Sequence, residues 1–188
     1  LGAKEKMINK SQEPVPYAEG RRRARPSPLP HLLTINCGSS SVKFAVFRLG
    51  GNIEPLLRGK VTDIGKARGH SSARSADGAS LWHIKKSCGD HGSAVQHILD
   101  QLENHAELWK ISLVGHRVVH GGPDFVSPVE LDPKIEADLA RLTALAPLHL
   151  PANFAGIDTV RRTRPQTTQF ACFDTAFHAF MPENAART

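Results

Sequence analysis

Several protein classes are excluded by what this sequence lacks. It has three cysteines, Cys37, Cys88 and Cys172, odd in number and widely spaced. That rules out a disulfide framework and a zinc-ligand pattern, and it points to a reducing, cytoplasmic compartment. No apolar run approaches the ~20 residues needed to span a bilayer, so no membrane partner is expected. Aromatic residues make up only 6% of the 188-residue chain, so the core must be aliphatic, and the 40% hydrophobic content is enough to build one. There are no internal repeats. The basic excess is also local: residues 1–30 carry seven Lys/Arg against three Asp/Glu, so +4 of the formal +6 lies there, while the remainder holds 17 against 15. No aromatics interleave Arg21-Arg22-Arg23-Ala24-Arg25, so no nucleic-acid partner is expected.

Residues 1–30 combine this charge with prolines and almost no apolar periodicity, and they are expected to form a disordered basic tail. Glu5, Glu13 and Glu19 weigh against a transit peptide. The chain opens on Leu1, with Met7 internal, and the expectation is that the tail lies upstream of the true start.

What is present begins with Leu32 to Phe47, LLTINCGSSSVKFAVF. An apolar run leads into Asn36-Cys37-Gly38-Ser39-Ser40-Ser41, and alternation resumes through Val42, Phe44 and Val46. This is strand, tight polar turn, strand. Gly38 lets a backbone approach a ligand closely, the hydroxyls and successive N–H groups can point at one place, and Lys43 follows as a point charge. The turn reads as an anion cradle, or equally as a Ser-rich hairpin with a solvated lysine.

Further along, Pro55–Val61 reads as a third strand, Gly65–Ser80 as a polar loop and Leu81–Ile84 as a short strand. Val95, Ile98, Leu99 and Leu102 recur at helical spacing, predicting a helix over residues 91–105. Ile111–Gly115 is a buried strand. Asp132-Pro133 starts a helix, with Asp as N-cap and Pro at the first helical position. Its apolar face holds Ile135, Leu139, Leu142 and Leu145, and Pro147 stops it. Pro151 opens another helix through Phe154, Ile157 and Val160, and Thr167–Phe173 is a final strand. The predicted fold is an α/β domain with a mixed sheet over residues 31–188.

Polar residues at strand ends are the candidates for chemistry, because ligands in open α/β sheets bind beyond the carboxyl ends of strands. Arg117 sits there before Gly121-Gly122; it suits bidentate capture of a carboxylate or phosphate, or a surface ion pair. His116 and His120 flank a β-branched pair and do not share a helix face, so a zinc pair is not expected. His149 lies in the Pro-bracketed loop Ala146-Pro147-Leu148-His149-Leu150-Pro151, as a donor to a phosphoryl oxygen or as a loop-closing group. Asp174 follows the last strand, as an active-site carboxylate or an N-cap.

Four blocks occur in order: Asn36–Phe44 (NCGSSSVKF), Gly115–Gly122 (GHRVVHGG), Ala146–His149 (APLH) and Phe173–His178 (FDTAFH). Together they resemble the amino-terminal half of the acetate, propionate and butyrate kinase family. The resemblance covers roughly residues 31–182. It implies a ribonuclease-H-like fold of the actin-like ATPase superfamily, and phosphoryl transfer from ATP to acetate, giving acetyl phosphate and ADP. It implies Mg2+, associated with Asn36, and ATP as co-substrate, with phosphate contacts from Ser39, Ser41 and Lys43. Arg117 matches the residue that holds the substrate carboxylate. Val119 and Leu148 resemble parts of the acyl pocket, His149 matches a histidine near the transferred group, and Asp174 matches the active-site aspartate. Cys37 stands where the family usually has Ala, and Leu150 where Asn is frequent.

Members of that family continue into a second, nucleotide-binding domain and pair as homodimers, largely through parts that do not match here. The expectation is that this chain alone turns over little substrate. Two alternatives remain: a non-catalytic half-module that needs a separate second half, and a propionate kinase. A sugar kinase or chaperone ATPase of the same superfamily is disfavoured, since those place Asp before the loop glycine and this chain has Asn36-Cys37.

Overall fold

The computed structural model describes residues 29–105 and 109–178. The predicted disordered tail, apart from residues 29 and 30, lies outside the described residues. Among the described residues, eight strands form one mixed sheet in the order β5-β4-β3-β2-β1-β6-β8-β7. They are β1 (His31–Cys37), β2 (Ser41–Arg48), β3 (Glu54–Thr62), β4 (His70–Ser75), β5 (Ser80–Lys85), β6 (Ile111–Val118), β7 (Val129–Glu130) and β8 (Thr168–Phe173). Strands β1 to β5 form an antiparallel meander, whereas β1, β6 and β8 run parallel.

Alternation along the strands divides the sheet into two faces. Leu33, Ile35 and Cys37 of β1 are buried and lie opposite Val46, Phe44 and Val42 of β2. These residues form a core with Ala94, Val95, Ile98, Leu99 and Leu102 of α1 (His91–Glu103) and Val160 of α3 (Leu150–Thr163). Helix α1 is the predicted amphipathic helix; Asp90 caps it by accepting a bond from the Ser93 N–H at 2.7 Å. Helix α3 lies close against β1, because a Cβ on Gly156 would stand 2.9 Å from the Cys37 sulfur. A second cluster joins Leu139 of α2 (Pro133–Arg141) to Val118, Leu150, Ile157 and Phe173. Asp132 caps α2 as predicted, accepting from the Ile135 N–H at 2.7 Å. The helix gives way at Leu142 to a 3-10 turn through Leu145.

The polar loop expected over Gly65–Ser80 is corrected. It contains β4, which pairs with β3 on one side and β5 on the other. The inward positions of β4 are Ser71 and Ala73, both buried, and the Ser71 hydroxyl accepts the Trp82 indole N–H at 2.9 Å. A strand with small inward residues shows no hydrophobic alternation, because neighbouring strands supply the apolar volume. The two-residue β7 had no signal of its own. No helix among the described residues is long and apolar enough to cross a membrane.

Candidate active site at the carboxyl ends of three parallel strands

Parallel pairing of β1, β6 and β8 brings three chain segments to one end of the sheet. Asn36 is the penultimate residue of β1, Arg117 lies near the end of β6, and Asp174 follows β8 directly. The register pairs Ile35 with His116 and Val118 with Phe173, so the next residues converge on the same rim.

They meet through the Arg117 guanidinium. Its Nε donates to Asp174 Oδ1 at 2.8 Å and more weakly to Oδ2 at 3.1 Å, and Nη2 donates to Oδ2 at 2.5 Å. Nη1 donates to Asn36 Oδ1 at 3.1 Å. Asp174 raises the affinity of the guanidinium for its proton, chiefly through these hydrogen bonds, so Arg117 is a fixed positive charge. Of the five N–H donors of a guanidinium, three are used among the described residues. One donor on each terminal nitrogen remains, which suits one bidentate carboxylate. The group is accessible to such a ligand, with its side chain 47% exposed.

Lys43 is the direct cross-strand neighbour of Asn36, so both project from the face opposite the helices. The turn between them is closed by the Gly38 N–H donating to the Ser41 carbonyl at 2.8 Å. Ser39 is exposed and Ser41 half-buried. Gly38 does not have a positive φ, and an added Cβ would meet Ser41 only at 3.5 Å, an ordinary contact. Nothing among the described residues therefore requires glycine at this position.

His149 precedes α3 and is exposed, and its side chain makes no cap hydrogen bond. Its carbonyl accepts from the Asn153 N–H at 3.3 Å, one helical turn before the side chain that reaches Cys37 of β1 and Val119 just past β6. No hydrogen bond joins His149 to the Asn36–Arg117–Asp174 cluster among the described residues. Leu148 is 84% exposed, while Val119 is half-buried against the second core cluster.

Two residues that organise the site carry no sequence signal for that role. The Asn153 side chain is buried; it donates to the Cys37 carbonyl at 3.0 Å and accepts from the Val119 N–H at 3.2 Å. It thus joins the segment after Asn36 to the segment after Arg117. The His91 Nε2 lies 2.5 Å from the Gly38 carbonyl and anchors the Gly38–Ser41 turn to α1. Both partnerships join residues more than thirty positions apart, where spacing within the chain says nothing.

A magnesium ion takes few protein ligands and keeps waters and phosphate oxygens. Asn36 Oδ1 and the Asp174 carboxylate are hard oxygen donors gathered about one guanidinium, and they fit that requirement. No group of three or more His, Cys, Asp and Glu side chains suited to a metal occurs among the described residues.

The chain is similar to members of one protein family. A profile of the Acetokinase family matches residues 31–187. Acetate kinase of Helicobacter acinonychis is 40% identical over 159 residues, covering 82% of this chain and 40% of that protein. Acetate kinase of Clostridium beijerinckii is 39% identical over 159 residues, covering 82% and 39%. Among solved structures, Porphyromonas gingivalis acetate kinase superposes with a TM-score of 0.73 at 34% identity, over 82% of this chain and 40% of that one. A propionate kinase from Francisella tularensis gives 0.74 at 33%, over 83% and 40%. The sheet and helices are thus those of the ribonuclease-H-like, actin-like ATPase fold. The chain spans about 40% of the length of these relatives.

Proposed function

Since the chain belongs to the acetokinase family, we propose that residues 31–188 are the carboxylate- and phosphate-binding domain of a kinase acting on a short-chain acid. The reaction is transfer of a phosphoryl group from ATP to acetate, giving acetyl phosphate and ADP, and the catalytic machinery belongs to the whole protein. The observation that carries this reading is the Arg117 guanidinium, held by Asp174 and Asn36 with one donor on each terminal nitrogen left free among the described residues.

The chemistry asks little of an acid or base, because a carboxylate is already ionised and nucleophilic. What must be overcome is the approach of two anions. Arg117 takes the carboxylate and fixes its orientation. Lys43, beside Asn36, neutralises the incoming phosphate, and the Ser39–Ser41 turn offers hydroxyl and backbone donors to it. Asp174 positions Arg117 rather than taking a substrate proton. His149 donates to the transferred group. Asn36 and Asp174 hold Mg2+ when it is bound, and the ion supplies charge neutralisation on the phosphates.

Val119 and Leu148 are the acyl-side residues. A methylene is discriminated by only ~1–3 kcal/mol in a small apolar pocket, so propionate is a competing substrate. The similarity to both an acetate and a propionate kinase structure, at nearly equal TM-scores, favours neither. A cytoplasmic location fits three cysteines that form no disulfide.

The test is binding of 13C-labelled acetate followed by NMR. Arg117→Ala is expected to weaken binding at least tenfold with the melting transition little changed. Equal affinity in the variant would overturn the assignment.

A further inference from the structure

The open face of the sheet carries a second concentration of positive charge beyond the site. Lys43 of β2 lies directly opposite Lys60 of β3, and Arg58 of β3 lies directly opposite Arg74 of β4. Like charges so placed repel and destabilise a sheet. No carboxylate relieves them: among the described residues these four side chains make no ion pair, whereas nearby Arg48 and Lys66 are paired with Glu54 and Asp63. All four are exposed. Together with Ser72 they line a trough of about 340 Å3, floored in part by Gly59, which offers only backbone.

Two independent observations coincide here: an unrelieved cationic cluster and a concave surface of ligand size. Adjacent strands are ~4.8 Å apart and alternate residues ~7 Å apart, so the four charges spread over three strands, about 10 Å across. That is wider than one phosphate and suits several anionic groups held in one small molecule. From these features we infer that the β2–β4 trough is a binding site for an oligophosphate anion of three or more linked phosphoryl groups. Arg58 and Arg74 grip oxygens bidentately, Lys60 and Lys43 act as point charges, and the Ser72 hydroxyl donates. The trough opens at Lys43 onto the candidate active site, so it also concentrates anionic reactants at that rim. The inference stands on Arg58, Lys60 and Arg74, which the phosphoryl-transfer reading does not use; Lys43 alone is shared.

The experiment is calorimetric titration of the chain at constant ionic strength with tripolyphosphate, orthophosphate and ATP. Tripolyphosphate is expected to bind at least tenfold more tightly than orthophosphate and to lose at least tenfold in affinity in Arg58→Gln/Arg74→Gln. The unliganded double variant is expected to melt no lower than the parent, since repulsion is removed, which separates lost binding from lost folding. Arg117→Ala keeps tripolyphosphate binding, so failure of the carboxylate assignment leaves this result untouched. ATP binding equal to tripolyphosphate identifies a site that reads phosphates alone, and tighter ATP binding identifies a nucleoside-linked ligand; either supports the site. Tripolyphosphate binding no tighter than orthophosphate, or unchanged in the double variant, overturns it.

Discussion

The Asn153 side-chain amide donates to the Cys37 carbonyl at 3.0 Å, tying the first turn of α3 to the last residue of β1. Its oxygen accepts from the Val119 N–H, so one buried side chain spans the two segments that carry Asn36 and Arg117. Asn153→Ala leaves a buried carbonyl and a partly buried N–H without partners. It is expected to lower stability by roughly 2–3 kcal/mol in urea unfolding. It is also expected to weaken acetate binding measured well below the unfolding midpoint, which a purely structural role would not do.

Gly38→Ala separates a structural glycine from a ligand-facing one. With no positive φ and no clash for a methyl group, the substitution is expected to leave stability unchanged or raise it by up to ~1 kcal/mol. Affinity for phosphate-bearing ligands is expected to fall, because a methyl group would stand where the anion meets the turn. Thermal melts and nucleotide titration check the two halves, and unchanged affinity would remove Gly38 from the cradle.

Asp174→Asn tests orientation apart from stability. The Arg117–Asp174 pair is half exposed, at 47% and 40%, so its loss is expected to cost less than ~1 kcal/mol of folding stability. The guanidinium would lose its lateral anchor, and acetate affinity is expected to drop several-fold. Restoration of binding by Asp174→Glu would support positioning over charge alone.

His116 makes stability pH-dependent. It is buried on the helix-facing side of β6, where its Nε2 donates to the Gln169 side-chain oxygen at 2.8 Å. Burial pushes its pKa down from 6.5 to about 4, the Gln169 bond opposing this in part. In the unfolded chain it takes up a proton near pH 6.5, so stability is full above that value and falls as pH drops toward 4. Between pH 6.5 and 5 the loss is expected to be about 2 kcal/mol. Burial lowers His31 and His97 in the same direction, adding to the slope. Urea unfolding across this range checks it, and His116→Asn is expected to flatten the dependence.

Thiol labelling reads out the open face. Cys172 is exposed and is the cross-strand neighbour of Arg117, whereas Cys37 and Cys88 are buried. Burial pushes the Cys37 thiol up to about 12, so it stays protonated and unreactive. Mass spectrometry after brief treatment with a bulky maleimide is expected to find the label on Cys172 alone. The labelled chain is expected to bind acetate poorly, and Cys172→Ser is expected to be insensitive to the reagent.

The local chemistry of this chain was legible in its letters. The alternation of Leu33, Ile35, Val42, Phe44 and Val46 around a Gly/Ser break specified the first hairpin. Asp132-Pro133 marked the start of α2, and Val95, Ile98, Leu99 and Leu102 marked the buried face of α1, because capping and periodicity act within one or two turns. The four ordered blocks around Asn36, Arg117, His149 and Asp174 were legible only together, as a resemblance to a known family. Strand β4 was not, since its inward Ser71 and Ala73 are small and gain their burial from Trp82 and Val61 on neighbouring strands. Only tertiary structure placed Asp174 beside Arg117, hung the first hairpin and α3 on Asn153, and aligned Lys43, Lys60, Arg58 and Arg74 on one face. The physical reason is that parallel pairing and cross-strand register join residues tens of positions apart, and the free energy of those contacts depends on the whole sheet.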